Sequence, residues 1–423
     1  MGRGHCRVSG AALLALGLLG CCDRASDNES IAADLHLADR FLNQRTFRRE
    51  SLERALENPT NDYSALRLAE YATADGATTT GWDALEVYNP AIAPLTLADS
   101  GSETPVEALV WDGRTPQSRT DWLILGQRTF ESWPVEIDDR AGAIAEDAAT
   151  RAEFGMWTDN RGRVAGLVRV TTADGGRHVA WTCSGCHART NGGGQLVLGP
   201  AAVELDRGGM SPPLSDGTPS PAWTWGKGRI DVTADGIDNP TAIPDLRATS
   251  HQSHLHCEAT LKNSLPALAV RIESLMIENL RQRFRPPREL AVALALFVDE
   301  LGTTGQAGDG VAAARGARLF GDQCAGCHHA DGSSAPPVPP EVVGTDRRAA
   351  DSPARTTGRY RIPSLWHVAD RGQLLHDGTV TDLEMLLDPQ RLATAPGHPF
   401  GLELQPAERT ALIDFVNTIG MLR

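Results

Sequence analysis

Two short stretches carry the chemistry most directly. Cys183 and Cys186 are followed at once by His187 in VAWTCSGCHART, and Cys324 and Cys327 by His328 in FGDQCAGCHHADG. One thiol pair at this spacing reads equally as a redox dithiol, half of a zinc site or part of a disulfide framework. A four-thiolate zinc site could use both pairs, but none of these readings gives a reason for a histidine directly after each pair. Covalent haem attachment does. Two thiols three positions apart can each add to one vinyl group of the macrocycle, and the next side chain then lies under the iron as an axial ligand. Imidazole suits iron. The repeat therefore predicts two covalently attached haem c groups, held by Cys183, Cys186, Cys324 and Cys327, with His187 and His328 as iron ligands.

The elements around the second motif are the easier to read. AGDGVAAARGARLFGDQCAGCH, from Ala307, predicts a helix carrying Ala313, Ala317, Leu319 and Phe320 that ends at the attachment site. PAERTALIDFVNTIG closes the chain with Leu412, Phe415, Val416 and Ile419 at helical spacing and Pro406 near its start. A helix entering the haem motif and a last helix packing across it resemble the class I cytochrome c fold, over about residues 307 to 423. The Gly-rich GTTGQAGDG ahead of it reads as a linker.

The larger first part is less familiar. VEALVW, DWLILG and RVAGLVRV read as strands between turns. In LKNSLPALAVRIESLMIENL, Leu265, Leu268, Ile272, Leu275 and Leu280 share one helical face; in PPRELAVALALFVDEL, Leu290, Leu294, Phe297 and Leu301 do so again. The second of these helices is expected to close the first haem module. The fold expected is mainly α, with two cytochrome c-like haem modules, the first carrying an irregular, β-containing N-terminal extension. The divisions expected are a signal peptide over 1–20, a tether and helical segment over 21–60, the first haem domain over 61–305 and the second over 306–423.

Composition bounds the partners. With 41% hydrophobic and 22% charged residues in 423, the chain is globular rather than disordered. A net charge of -14 and the absence of any basic run exclude a nucleic-acid partner. Arg3 and Arg7 precede an apolar run, Ala11 to Leu19, too short to span a bilayer, which marks an export signal. LLGC resembles a bacterial lipobox, which implies lipidation of Cys21, a membrane tether by that lipid, and a periplasmic or outer-membrane-associated lipoprotein. Ordinary signal cleavage is the alternative.

A wider resemblance lies in RIPSLWHVADRGQLLHDGTVTDLEMLLDP, which is similar to the di-haem cytochrome c peroxidases and their methylamine-utilisation relatives. LGQRTFESWP, GKGRID and GHPFGLEL are similar to pieces of the di-haem rubber oxygenase group. The resemblance implies that His398 is the sixth ligand of the second haem, with Met385 and His376 as rivals. It places His376 beside the haem on a turn shaped by Asp377 and Gly378. Arg359 and Arg361 are candidates to neutralise haem propionates. For the first haem SHQSHLHCEAT offers His254 and His256, on one side if the segment is extended. His178 and Met276 stand behind them, and with His251 the three histidines could instead form a zinc or copper site. Cys257 reads as a buried thiol, a disulfide to Cys22 remaining open.

Axial ligation decides the function class, because an iron with six strong ligands has nowhere to bind peroxide or oxygen. Electron transfer between exported redox proteins is the favoured reading. A di-haem peroxidase or oxygenase with one open iron is the alternative, with Glu204 and Asp206 the weak candidates for its acid.

Overall fold

The computed structural model describes residues 15–71, 80–97, 107–233, 236–279, 284–302 and 314–419. The fold is mainly α-helical, with an N-terminal region containing several β-strands. Among the described residues no helix is long and apolar enough to cross a membrane. Residues 1–14 of the expected signal and most of the expected linker lie outside the described residues, as do the side chains at Cys21 and Cys22.

Two helix pairs make the frame, and glycine sets the closeness of each. The Arg119–Ser132 helix crosses Arg288–Glu300, and Ala314–Gln323 crosses Pro406–Val416. A Cβ added at Gly126 would lie 2.1 Å from the Ala293 carbonyl oxygen and 2.6 Å from Phe297 Cβ. At Gly316 it would lie 2.1 Å from the Ala411 carbonyl oxygen and 2.7 Å from Phe415 Cβ. One turn on, the Phe130 and Phe297 ring centres are 5.5 Å apart and those of Phe320 and Phe415 5.2 Å. The same crossing, Gly-x-x-x-Phe against Ala-x-x-x-Phe, thus occurs twice. Alanine at Gly126 or Gly316 would push backbone against backbone, and we expect a loss of about 1–3 kcal/mol in each case. A lowered urea midpoint checks this, with Gly192→Ala, whose added Cβ would meet nothing within 4 Å, expected to leave it unchanged.

The first of these helices corrects a sequence expectation. DWLILG lies in the Arg119–Ser132 helix, not in a strand. Ser118 caps it by accepting from the Asp121 N–H, and Trp122, Leu125, Thr129 and Phe130 recur on the buried face. A continuous apolar run of four residues is too short to reveal that period. VEALVW contributes only the two-residue strand Ala108–Leu109, exposed on both residues. RVAGLVRV is a strand, Arg163–Thr171.

That strand lies centrally in an antiparallel five-stranded sheet ordered 108–109, 91–96, 163–171, 177–181, 136–137. Its Val164 and Leu167, with Trp181 of the neighbouring strand, share one core with Met156 and Leu205. The Arg288–Glu300 helix is buried continuously from Leu290 to Val298, so its apolar residues surround it rather than form one stripe. It is the centre of the largest core. A separate core around Phe320, Val380, Leu412 and Ile413 fills the C-terminal part.

Candidate haem sites

The first motif is delivered by the sheet. Strand Arg177–Trp181 runs into Thr182, whose hydroxyl donates to the Gly166 carbonyl at 2.8 Å, and Cys183–Cys186 form one helical turn. Gly166, at φ +64°, lets that turn lie on the neighbouring strand, because an added Cβ would meet the Gly185 nitrogen at 2.5 Å. The His187 N–H donates to the Cys183 carbonyl at 3.0 Å, closing the turn.

His187 Nδ1 lies 3.0 Å from the Pro244 carbonyl oxygen. A carbonyl can only accept, so Nδ1 carries the hydrogen and Nε2 keeps a lone pair for a metal. Burial lowers the His187 pKa to about 4, which keeps the imidazole in the neutral form that metal binding needs. Burial also pushes the Cys183 thiol up to about 12 and raises Cys186. All four motif cysteines are unpaired thiols.

Around this site the three clustered histidines diverge. His254 has both ring nitrogens engaged, Nε2 with Glu57 at 2.9 Å and Nδ1 with the Ser253 hydroxyl at 3.1 Å. His256 accepts at Nε2 from Arg271 Nε at 3.0 Å, stands edge-on to Tyr63, and leaves a buried Nδ1 without a partner. His251 stacks on Trp366 at 3.7 Å between ring centres. Among the described residues no group of three or more His, Cys, Asp or Glu could hold a metal ion, so the three histidines do not form a zinc or copper site. His178 is paired with Asp139 at 2.8 Å, and Met276 is in the core. Glu204 pairs with Lys227 at 3.2 Å, and Asp206 accepts from the Gly209 N–H.

At the second motif the Ala314–Gln323 helix leads directly into Cys324, and the His328 N–H returns to the Cys324 carbonyl at 2.9 Å. The Pro363 carbonyl faces the His328 ring without reaching Nδ1 in hydrogen-bond geometry. Opposite stands His398, 6.5 Å away between ring centres. That is the span of two imidazoles on one metal ion, about 2 Å for each metal–nitrogen bond and about 1 Å from nitrogen to ring centre. Burial lowers both histidines to about 4, so both are neutral donors.

The loop that presents His398 is tied by one side chain. Arg391 donates through Nη1 to the carbonyls of Ala395 at 2.7 Å and Gly397 at 2.8 Å, and through Nη2 to that of His398 at 2.8 Å. His398 itself sits at φ +50°, a conformation that needs such support in a non-glycine residue.

Met385 and His376 make other contacts, Met385 with the core against which Cys324 also packs. Met385 takes a weak contact from the Thr381 hydroxyl, and His376 stacks on Tyr360 at 4.5 Å and meets the Thr345 hydroxyl at 3.2 Å. Arg361 is held by the His254 carbonyl at 3.4 Å, and Arg359 by that of Pro337 at 3.2 Å. The donor sets fit two haem c groups: a free thiol pair and a neutral imidazole at each motif, with a second imidazole at the C-terminal one.

Several residues at these sites escape sequence reasoning. Pro244 acts through its backbone carbonyl, which no side-chain pattern marks. Arg271 left a weak signal, being a charge between Leu268 and Leu275 on an otherwise apolar helix face. Arg247 joins the two halves, reaching Asp245 at 2.5 Å and Asp370 at 3.0 Å, while Arg189, two residues after His187, also holds Asp370 at 2.8 Å.

Comparison with known proteins finds no match among curated proteins and none among solved structures. A family does match part of the chain, and it covers the helices that frame the second motif. Residues 313–420 are similar to the family described as Cytochrome c, so the chain contains a single matched cytochrome c-type domain there, consistent with electron transfer.

Proposed function

We propose that the protein is an exported di-haem c-type cytochrome that passes single electrons between redox proteins. The observation that carries this reading is the His328–His398 pair, two buried neutral imidazoles 6.5 Å apart inside the matched domain. In this reading the bound haem supplies one-electron redox chemistry, Cys324 and Cys327 fix it, and Arg391 holds the His398 loop closed. Cys183, Cys186 and His187 hold the second group, and the recurrence of the Gly126–Ala293 crossing at Gly316–Ala411 supports a first haem module built on the same helix frame. The export signal and lipid at Cys21 are the localisation that goes with this reading, and residues 1–20, 21–60, 61–305 and 306–423 its divisions.

A second reading has its own observation. His254 has both ring nitrogens engaged and His256 gives Nε2 to Arg271, keeping only Nδ1 free, and among the described residues no histidine ring is paired with His187 as His398 is with His328. That asymmetry favours an open first iron, as the resemblance to di-haem peroxidases and oxygenases implies, with the second haem relaying electrons.

Carbon monoxide separates the two. Reduced protein carrying both haems is expected to show at most one carbon monoxide-binding haem per chain. None supports two closed centres, and one supports the open first iron. Binding at both would overturn the closed His328–His398 site on which either reading depends.

A further inference from the structure

A cavity remote from both motifs lies between the Ala15–Asn43 helix and the start of the Arg288–Glu300 helix, with a volume of about 530 Å³. That volume is in the range of small-molecule sites. Its apolar lining includes Leu35, Leu42, Val87, Trp111 and Trp122, and Arg285, the register partner of Val87, lines it together with Arg288. Val87 is exposed, which leaves apolar surface unused by the core.

The charges beneath do not balance. Asp83 is shared by Arg45 at 2.9 Å, Arg48 at 3.0 Å and Arg288, and Glu273 is taken by Arg288 at 2.9 Å and by the Tyr71 hydroxyl at 2.6 Å. Arg285 joins this group with no carboxylate partner among the described residues. It donates only to the Pro286 carbonyl, at 3.3 Å, and its buried Nε has no partner. A half-buried guanidinium beside other guanidiniums, left without a counter-charge, is costly. Burial, and then Arg288, weaken its hold on its proton.

We propose that this cavity binds an amphipathic monocarboxylate, its carboxylate on Arg285 and its alkyl or aromatic body against Trp111 and Val87. A planar guanidinium pairs well with a carboxylate. The class is a monoanion because Asp39 and Glu289 also line the cavity and repel a second negative charge. Neither the haem reading nor its tests bear on this site.

Equilibrium dialysis of the full chain with labelled decanoate, decanol and decyl phosphate tests it. Decanoate is expected to saturate one site and to bind more tightly than either other probe. Arg285→Gln should weaken decanoate about tenfold or more and leave decanol unchanged. Val87→Asp, at an exposed wall position that tolerates a charge, should weaken decanoate as well, with an unchanged circular dichroism spectrum. Decanoate binding no tighter than decanol, tighter binding of decyl phosphate, or decanoate binding that survives both substitutions would overturn the proposal.

Discussion

Replacing Cys324 and Cys327 together by alanine is expected to halve the covalent haem content, from two groups per chain to one, as read by the alkaline pyridine spectrum of acid-extracted protein. Cys183→Ala with Cys186→Ala is expected to do the same. Thioether bonds are the only attachment that survives extraction, so each double substitution removes one haem and leaves the other. The two variants should differ in folding. Cys324 packs against the core of Phe320, Leu365 and Leu412, and this C-terminal core is small, so losing its haem should lower the thermal midpoint of that part strongly. Cys183 sits against the much larger core that includes Trp122, which should hold without the first haem, while Cys186 packs beside Leu167 in a smaller one. Equal zinc content and no haem in the unaltered protein would refute the attachment assignment outright.

What was legible in the sequence follows from how local each signal is. The two Cys-x-x-Cys-His motifs are contiguous, and the helices 314–323 and 406–416 carry full apolar periods with a proline at the second one's start. These could be read directly. The 119–132 helix was hidden because its apolar residues bunch as Trp-Leu-Ile-Leu, a short continuous apolar run that reads as a buried strand. Its defining residue, Gly126, has meaning only against Ala293, far along the chain. The histidine cluster illustrates the other limit. His254 and His256 share a side in an extended segment, but His256 adopts φ +62°, which turns the chain and sends the two rings to different partners. Spacing alone cannot register a left-handed residue without glycine. Arg391 shows the same limit on the C-terminal side: its partners are carbonyls, which every residue has.

The largest functional change is expected from His398→Ala. In the assignment proposed above, His328 and His398 would both hold one haem iron, and removing His398 would free its place without touching either thioether. The expected result is one additional carbon monoxide-binding haem per reduced chain, and a shift of that haem's potential by a sizeable part of the roughly 0.8 V over which axial ligands act. Two controls isolate the cause. His376→Ala removes a ring packed on Tyr360 rather than facing His328, so carbon monoxide binding should stay as in the unaltered protein. Arg391→Gln leaves the imidazole present but strips donors from the Ala395, Gly397 and His398 carbonyls. With the loop loosened, His398 should dissociate part of the time, giving partial carbon monoxide binding that full replacement completes. A graded gain over the unaltered protein, none with His376→Ala, part of a haem with Arg391→Gln and one whole haem with His398→Ala, would tie the closed state to the loop as well as to the ligand. An unchanged spectrum in His398→Ala would remove His398 from the iron and leave the 6.5 Å approach of two neutral imidazoles without a ligand role.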